Sequence, residues 1–335
     1  MRPITNPVAR LAIHLFLWAV VLYSTVPFIW TTLNSFKTIK DANAATPQFI
    51  FDPSLDGYSA VLLKSAPDNG VLVASGIFAV LVALVAIGFL AKRIPLPTKY
   101  IYWGITGVLV LMIWGIPRFV RTAEFYDNFI NTVIIATGAV IISVAIGSVA
   151  GYALARYTGI SGIAILLAAI AFRSLPRLGY ILPYFQVSQE LGIWDTYYLV
   201  IIVLVAVNQP FTIWMMRAFF MTVPREIEDA AMVDGASRFG AFRRVVIPVV
   251  WPGIVATSLF MLLVVYHEFI LIRILTQSNQ TLTVAMSQFI GGVSVPGSIP
   301  RQSAAAVVSV LPLILVVLIF QRQFVKGIGT GAVKG

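Results

Sequence analysis

An all-α, polytopic membrane protein is the fold class this sequence predicts, on three observations. Hydrophobic residues fill 59% of the 335 positions and charged residues only 11%, against about a quarter charged in a water-soluble domain. The apolar residues fall in runs close to the roughly 20 residues a helix needs to cross the hydrocarbon core. The cations gather at the ends of those runs, where they fix orientation and meet anionic head groups. The net charge of +10 therefore describes a membrane protein and not a nucleic-acid binder. With no Cys, and with His14 and His267 as the two histidines, thiolate chemistry is excluded and a zinc or haem centre is disfavoured.

The elements follow in order. Arg2 and Arg10 precede an apolar run over 11–33, too long for a signal-peptide core and closed by no small-residue cleavage site, so it is expected to be a first span with a cytoplasmic N-terminus. A polar stretch, 34–69, comes next. Runs over 71–90 and 100–116 flank a basic turn holding Lys92, Arg93, Pro95, Pro97 and Lys99, which predicts a helical hairpin with its turn in the cytoplasm. Further spans are expected over 129–154, 163–185, 197–219, 254–274 and 304–320, about eight in all. Threaded from inside, this places 221–252 and the C-terminus in the cytoplasm. Arg156, Arg225, Arg238, Arg243, Arg244, Arg322, Lys326 and Lys334 then join the inner cations, and the fewer Lys37, Lys40, Lys64, Arg118, Arg121 and Arg301 fall outside, spread over longer loops. The expected division is 1–127 for the first span, loop and hairpin, 128–325 for the core, and 326–335 for a cytoplasmic tail.

One loop between spans, 224–248, carries a more specific pattern. Pro224 suits a first helical position, and Glu226, Glu228 and Asp229 fall in the first turns, where the helix dipole favours anions. Ala230, Ala231 and Met232 favour helix, and Gly235 is where the chain turns at least cost. A second short helix from Ala236 is expected to stop at Pro248 and Pro252. The small residues Ala230 and Ala231 would let a partner surface approach closely. Nowhere does the chain contain G-x-x-x-x-G-K-[ST], the phosphate-cradling loop that binds ATP.

At these residues the sequence resembles the membrane subunits of bacterial ABC importers. Their signature is Glu-Ala-Ala, three residues, Gly, nine residues, then Ile-x-Leu-Pro. Here Asp229-Ala230-Ala231, Gly235 and Val245-x-Ile247-Pro248 keep that spacing, with Asp for Glu, Val for Ile and Ile for Leu. The resemblance extends from Thr31–Lys37 through Asn128-Phe129-Ile130-Asn131-Thr132 to Phe320-Gln321-Arg322-Gln323-Phe324 and Gly331-Ala332-Val333-Lys334-Gly335, and is closest to the carbohydrate-uptake branch, similar to the smaller membrane subunit of maltose-type importers. It implies a six-span permease core, to which the 71–116 hairpin is an addition. It also implies that the loop couples to a separate ATPase through Glu226, Glu228, Asp229, Ala230, Ala231, Asp234, Gly235, Ala236, Arg243 and Pro248. The implied partners are ABC ATPase subunits carrying ATP and Mg²⁺, a second permease subunit and an extracytoplasmic solute-binding protein. The setting is the bacterial inner membrane, and no cofactor is expected on this chain.

Polar groups at membrane depth are costly and usually face a cavity or one another. Asn131, Arg173, Arg177, Asn208, Gln209, His267 and Glu268 are such groups. Arg173 and Glu268 admit a reading as lining of the solute path, with Arg173 facing a polar or anionic solute, and a structural one, as a salt bridge between helices or side chains reaching to the outer interface. Tyr180, Tyr184 and Tyr266 are candidate lining aromatics beside Asn131 and Gln209, whereas Trp194, Tyr197 and Tyr198 are expected in an interfacial belt. Ser143, Gly147, Gly151 and Ala155 recur every four residues and predict tight helix packing.

The function expected from these readings is translocation of a sugar, polyol or related small solute, driven by a partner's ATP hydrolysis. An ion-coupled secondary transporter is the alternative, and Glu268 is nearly its only candidate carboxylate. A membrane-embedded enzyme would need convergent acids, bases or metal ligands that this composition does not supply.

Overall fold

The computed structural model describes residues 7–63, 124–290 and 298–332, with isolated helical positions between 76 and 108. The hairpin predicted over 71–116 therefore lies almost wholly outside the described residues. The chain divides into two compact units: Met1–Val80, Val120–Ala123 and Met286–Leu311 form one, and Leu81–Phe119, Glu124–Ala285 and Pro312–Gly335 the other.

In the first unit, α1 (Pro7–Ser35) is a long apolar helix whose Leu11, Phe16, Trp18 and Tyr23 are exposed. Beyond it come α2 (Ile39–Ala42), capped by Thr38, whose hydroxyl accepts from the Asp41 amide, and α3 (Asp56–Leu62). The buried Ser35 and Tyr58 hydroxyls lie 2.7 Å apart. Lys37 is enclosed, its ammonium 4.3 Å above the centre of the Trp30 ring.

The second unit holds α4 (Glu124–Arg156), α5 (Ile160–Arg173), α6 (Arg177–Glu190), α7 (Tyr197–Phe220), α8 (Arg225–Val233), α9 (Arg238–Ala241), a π-helical turn (Phe242–Val246), α10 (Ile247–Tyr266) and α11 (Ile270–Leu275). Helices α12 (Leu282–Ile290) and α13 (Ser298–Ala332) complete the chain. Among the described residues, five helical runs are long and apolar enough to cross a membrane, and a sixth results if α5 and α6 together make one span.

Helices α4 and α7 are the central pair, and small residues let them close. A Cβ on Gly147 would stand 2.7 Å from Thr212 Cγ2, and one on Gly151 2.9 Å from the Arg217 amide nitrogen. Both lie below any real Cβ contact, so the expected small-residue stripe is the helix–helix seam. Polar bonds cross the same seam: Ser143 donates within reach of Thr212 (3.0 Å) and Gln209 (3.1 Å), and the Gln209 amide donates to the Ser143 carbonyl at 3.2 Å. Around the pair, Ile135, Leu204, Val265 and Ile272 belong to one buried apolar cluster, and Met216, Phe220, Val246 and Val250 to another.

Two predicted elements are corrected. The span expected over 163–185 is broken at 174–176, where α5 and α6 meet at 90°. Pro176 has no N–H with which to extend α5 and stands outside the helical region, at ψ 126°, as the N-cap of α6. Pro248 and Pro252 do not stop the helix that contains them, because the chain is helical from Arg238 to Tyr266. For Pro248 the π turn explains this: the Ile247 amide donates five residues back to the Phe242 carbonyl. Pro248 then falls in the first turn of α10, where no N–H is needed. The same helix ends at Tyr266 and not 274, leaving a second break over 267–269.

Candidate functional site

The loop from Met221 to Gly235 stands on the C-terminal end of α4. Helix α8 ends in a Schellman motif: the Gly235 amide donates to Met232 and the Ala236 amide to Ala231, both at 3.0 Å. Gly235 has φ +88° and no heavy atom within 4 Å of a would-be Cβ, so its requirement is conformational and not steric. Ser237 starts the next helix by accepting the Gly240 amide at 3.1 Å. Glu226, Asp229, Ala230, Asp234, Gly235, Arg243 and Pro248 are exposed, and Ala231 and Ala236 partly so. Exposed apolar side chains flank them, with Val233 at 87% and Phe239 at 68%.

Glu228 is placed differently from its neighbours: it is buried. Its Oε1 accepts from both Nε (2.8 Å) and Nη2 of Arg156, and its Oε2 accepts from the Tyr152 hydroxyl at 2.8 Å. Arg156 also donates to the Val223 carbonyl at 3.2 Å, and Arg225 donates to the Arg156 carbonyl at 3.1 Å. Beneath this cluster the Tyr152 ring packs against Phe242 (4.6 Å between centroids) and Phe220 (5.6 Å). The loop is thus bolted to α4 on one side while its other side is free. Sequence reasoning placed Arg156 as a cytoplasmic cation but missed this role. The signal was available in Tyr152 and Arg156, four residues apart on one helix face.

The second grouping is a cavity of about 180 Å³ lined by Arg173, Ser174, Tyr180 and Glu268, with Asn208, Ile170 and Val207. Arg173 comes from the last turn of α5, Tyr180 from the first turns of α6, and Asn208 from the middle of α7. Glu268 follows the end of α10 and is 3% exposed. Its Oε1 accepts the Leu271 amide at 3.3 Å. Arg173 donates to Asn208 Oδ1 at 3.2 Å and its guanidinium carbon lies 5.1 Å from the Phe211 ring centre.

Of the seven lining candidates read from the sequence, the structure brings Arg173, Tyr180 and Glu268 together. Asn131 is elsewhere, near the start of α4, where it accepts the Tyr197 hydroxyl at 2.7 Å and donates to the Gln280 carbonyl at 2.9 Å. Gln209 is occupied in the α4–α7 seam. Tyr184 packs on the large apolar cluster, and Tyr266 closes α10, its carbonyl accepting from the Thr283 hydroxyl. Tyr197 is therefore bonded inside the helix packing, while Tyr198 is 52% exposed. Trp194 donates to the Ile274 carbonyl at 3.3 Å. The cavity also takes in Asn208, named from the sequence only as a polar group at membrane depth, and Ser174, which sequence reasoning missed, while the side chain of Arg177 lies outside the described residues. Among the described residues no cluster of His, Asp and Glu could hold a metal ion.

Residues 143–330, more than half of the chain, match the family model described as the binding-protein-dependent transport system inner membrane component. A probable ABC transporter permease protein of Sinorhizobium fredii is 28% identical over 98% of both chains. A trehalose transport system permease protein of Mycobacterium tuberculosis is 32% identical, over 63% of this chain and 78% of its own length. Among solved structures, one of a bacterial ABC transporter involved in the import of the acidic polysaccharide alginate matches with a TM-score of 0.65 at 16% identity, covering 96% of this chain and 98% of that one. That last likeness is one of fold.

Proposed function

The chain belongs to the family of binding-protein-dependent transport system inner membrane components, and from that premise we propose that it is the smaller permease subunit of an ATP-driven sugar or polyol importer. The reading is supported by the trehalose permease among its relatives. Energy comes from a separate ATPase pair that binds ATP and Mg²⁺. A second permease subunit completes the path, and an extracytoplasmic binding protein delivers the solute. The membrane is the bacterial inner membrane, crossed about eight times if the 71–116 hairpin and the bent α5–α6 pair each span as expected, with both termini in the cytoplasm. Family membership favours this over an ion-coupled carrier.

The observation that carries the proposal is the two-sided loop. Its outer side offers Glu226, Asp229, Ala230, Asp234 and Gly235 to a partner, while its inner side is tied by Glu228 to α4. A push on the outer side is delivered to a helix that runs the full depth of the bilayer. Arg173, Tyr180 and Glu268 are proposed to line the solute path, and Asn131, Tyr184, Gln209 and Tyr266 to hold the helices that shape it.

The test is made on the purified complex. Ala231→Leu adds volume where the ATPase docks, and Gly235→Val forces a β-branched residue to positive φ. Both variants should insert into the membrane normally and lose solute-stimulated ATP hydrolysis together with uptake. Full coupled transport in both would make the loop a plain connector.

A further inference from the structure

Two helical runs of this protein are broken, at 174–176 and at 267–269, and both breaks open on one cavity. The α5–α6 break contributes Ser174 and the α10–α11 break contributes Glu268, and both line the 180 Å³ space that Asn208 enters from halfway along α7. Broken backbone at membrane depth is tolerated where it is buried in protein or faces a polar cavity. Ends of discontinuous helices near the midplane are also where transporters place their solute contacts. Resting on the reading of this chain as a sugar permease, we infer that the Arg173–Asn208–Glu268 cavity is a solute-binding station within this subunit, selective for one ring of a neutral polyhydroxylated sugar.

Size sets the first limit. About 180 Å³ is well beyond the roughly 10–15 Å³ that admits one water, which puts the space on the scale of a sugar ring. Donor and acceptor chemistry sets the second. A guanidinium only donates and a carboxylate only accepts; Asn208 already donates to the Leu204 carbonyl at 2.8 Å and Ser174 to the Ile170 carbonyl at 3.4 Å, so these two offer the solute acceptor oxygens. Adjacent hydroxyls on a ring present a donor and an acceptor side by side, so they can bridge Arg173 and Glu268 while the amide and hydroxyls take the rest. Charge sets the third. One cation and one carboxylate leave the lining formally neutral, so a carboxylated sugar would confront Glu268 and compete with it for Arg173. The groups are also held in place before solute arrives. Arg173 bonds Asn208 and stacks near Phe211, and Glu268 is fixed by the Leu271 amide, which lowers the ordering cost of binding.

The experiment uses the complete transporter with its partners in proteoliposomes. This chain has no cysteine, so Ser174→Cys, with partner cysteines removed, reports on the cavity through its rate of labelling by N-ethylmaleimide. Uptake of trehalose, maltose and glucose by the unsubstituted transporter is measured alongside. The neutral sugars that are taken up should slow the labelling at least fivefold at saturation, and glucuronate at the same concentration should not. Glu268→Gln, which leaves Arg173 as net positive charge, should narrow the preference for glucose over glucuronate by about tenfold in the protection assay. Because protection at Ser174→Cys needs no charge substitution, it decides the matter even if Glu268→Gln does not assemble. Sugar uptake with unchanged labelling, or equal protection by glucuronate, would overturn the station while leaving the transport function intact. Neither uptake of the three sugars nor protection by them would sink both.

Discussion

Arg156 and Glu228, 72 positions apart, form the ion pair that fastens the 221–235 loop to the end of α4, with side chains only 18% and 9% exposed. Two guanidinium nitrogens converge on one carboxylate oxygen while Tyr152 holds the other. Removing one partner strands a mostly buried charge, which costs about 3–5 kcal/mol for a fully buried pair and less here because water still reaches Arg156. Glu228→Ala and Arg156→Ala should each lower the stability of the complex by roughly 2 kcal/mol. They should also uncouple ATP hydrolysis from uptake. The double variant should be little worse than either single one. A double-mutant cycle on thermal unfolding and on the ratio of transport to ATP hydrolysis measures this, and additive losses would show that the two side chains act independently.

At Gly235 the requirement is the backbone angle, since φ is +88° and the space around a Cβ is open. Ala should therefore cost about 1–2 kcal/mol of local stability, while Asn, which tolerates the left-handed region, should cost less. Coupled uptake should rank Gly, then Asn, then Ala, then Val. A ranking by side-chain size alone, with Asn below Ala, would show that crowding by the partner and not backbone strain sets the cost.

Gly151 presents the opposite case, with the Met216 Cβ at 2.8 Å and the Arg217 amide nitrogen at 2.9 Å from its own would-be Cβ. Because backbone is in the way, even Ala forces α4 and α7 apart. Gly151→Ala should cost about 1–3 kcal/mol by overpacking, and Gly151→Leu more. Detergent-solubilised protein should unfold at lower temperature in that order. An unchanged midpoint for Gly151→Leu would mean that the seam is looser than described.

Asp195 clasps the loop between α11 and α12. It sits at φ +59°, and its carboxylate accepts the Gln277, Ser278 and Asn279 amides and the Ser278 hydroxyl. Burial alone would raise its pKa, but these bonds outweigh burial and hold it below the ordinary carboxylate value. A depressed folded pKa stabilises above the unfolded value, about 3.9, and that stability is lost as pH falls through the folded one. The clasp should be complete at neutral pH and loosen only below about pH 4. Asp195→Asn places an amide donor against the Ser278 amide and should speed hydrogen exchange at 277–279 by roughly tenfold or more at pH 7, on the scale of a lost hydrogen bond to a charged group. Exchange that is identical in the two proteins at pH 7 would remove the clasp.

Much of this protein was decided by sequence alone. The bilayer as solvent forces every backbone group in lipid to be satisfied within its own helix, so the 11–33, 129–154 and 197–219 runs could only be helices, and their boundaries in the structure differ by a few residues. Gly235 declared its own turn because no other residue adopts that angle freely, and the four-residue stripe through Gly147 and Gly151 announced a seam. What the sequence could not decide were the events that depend on a partner far along the chain. Proline rules alone stop the helix at Pro248, and only the π turn before it lets that helix continue to Tyr266. Glu228 looked like its exposed neighbours until folding brought Arg156 beneath it. Asn131 and Gln209 looked as much like path residues as Arg173 and Glu268. Each polar group at membrane depth must find some partner, and periodicity does not say whether that partner is another helix or a cavity. Only the packing of α4 against α7, and the meeting of two helix breaks beside Asn208, assigned the first two to structure and gave the other two a common space.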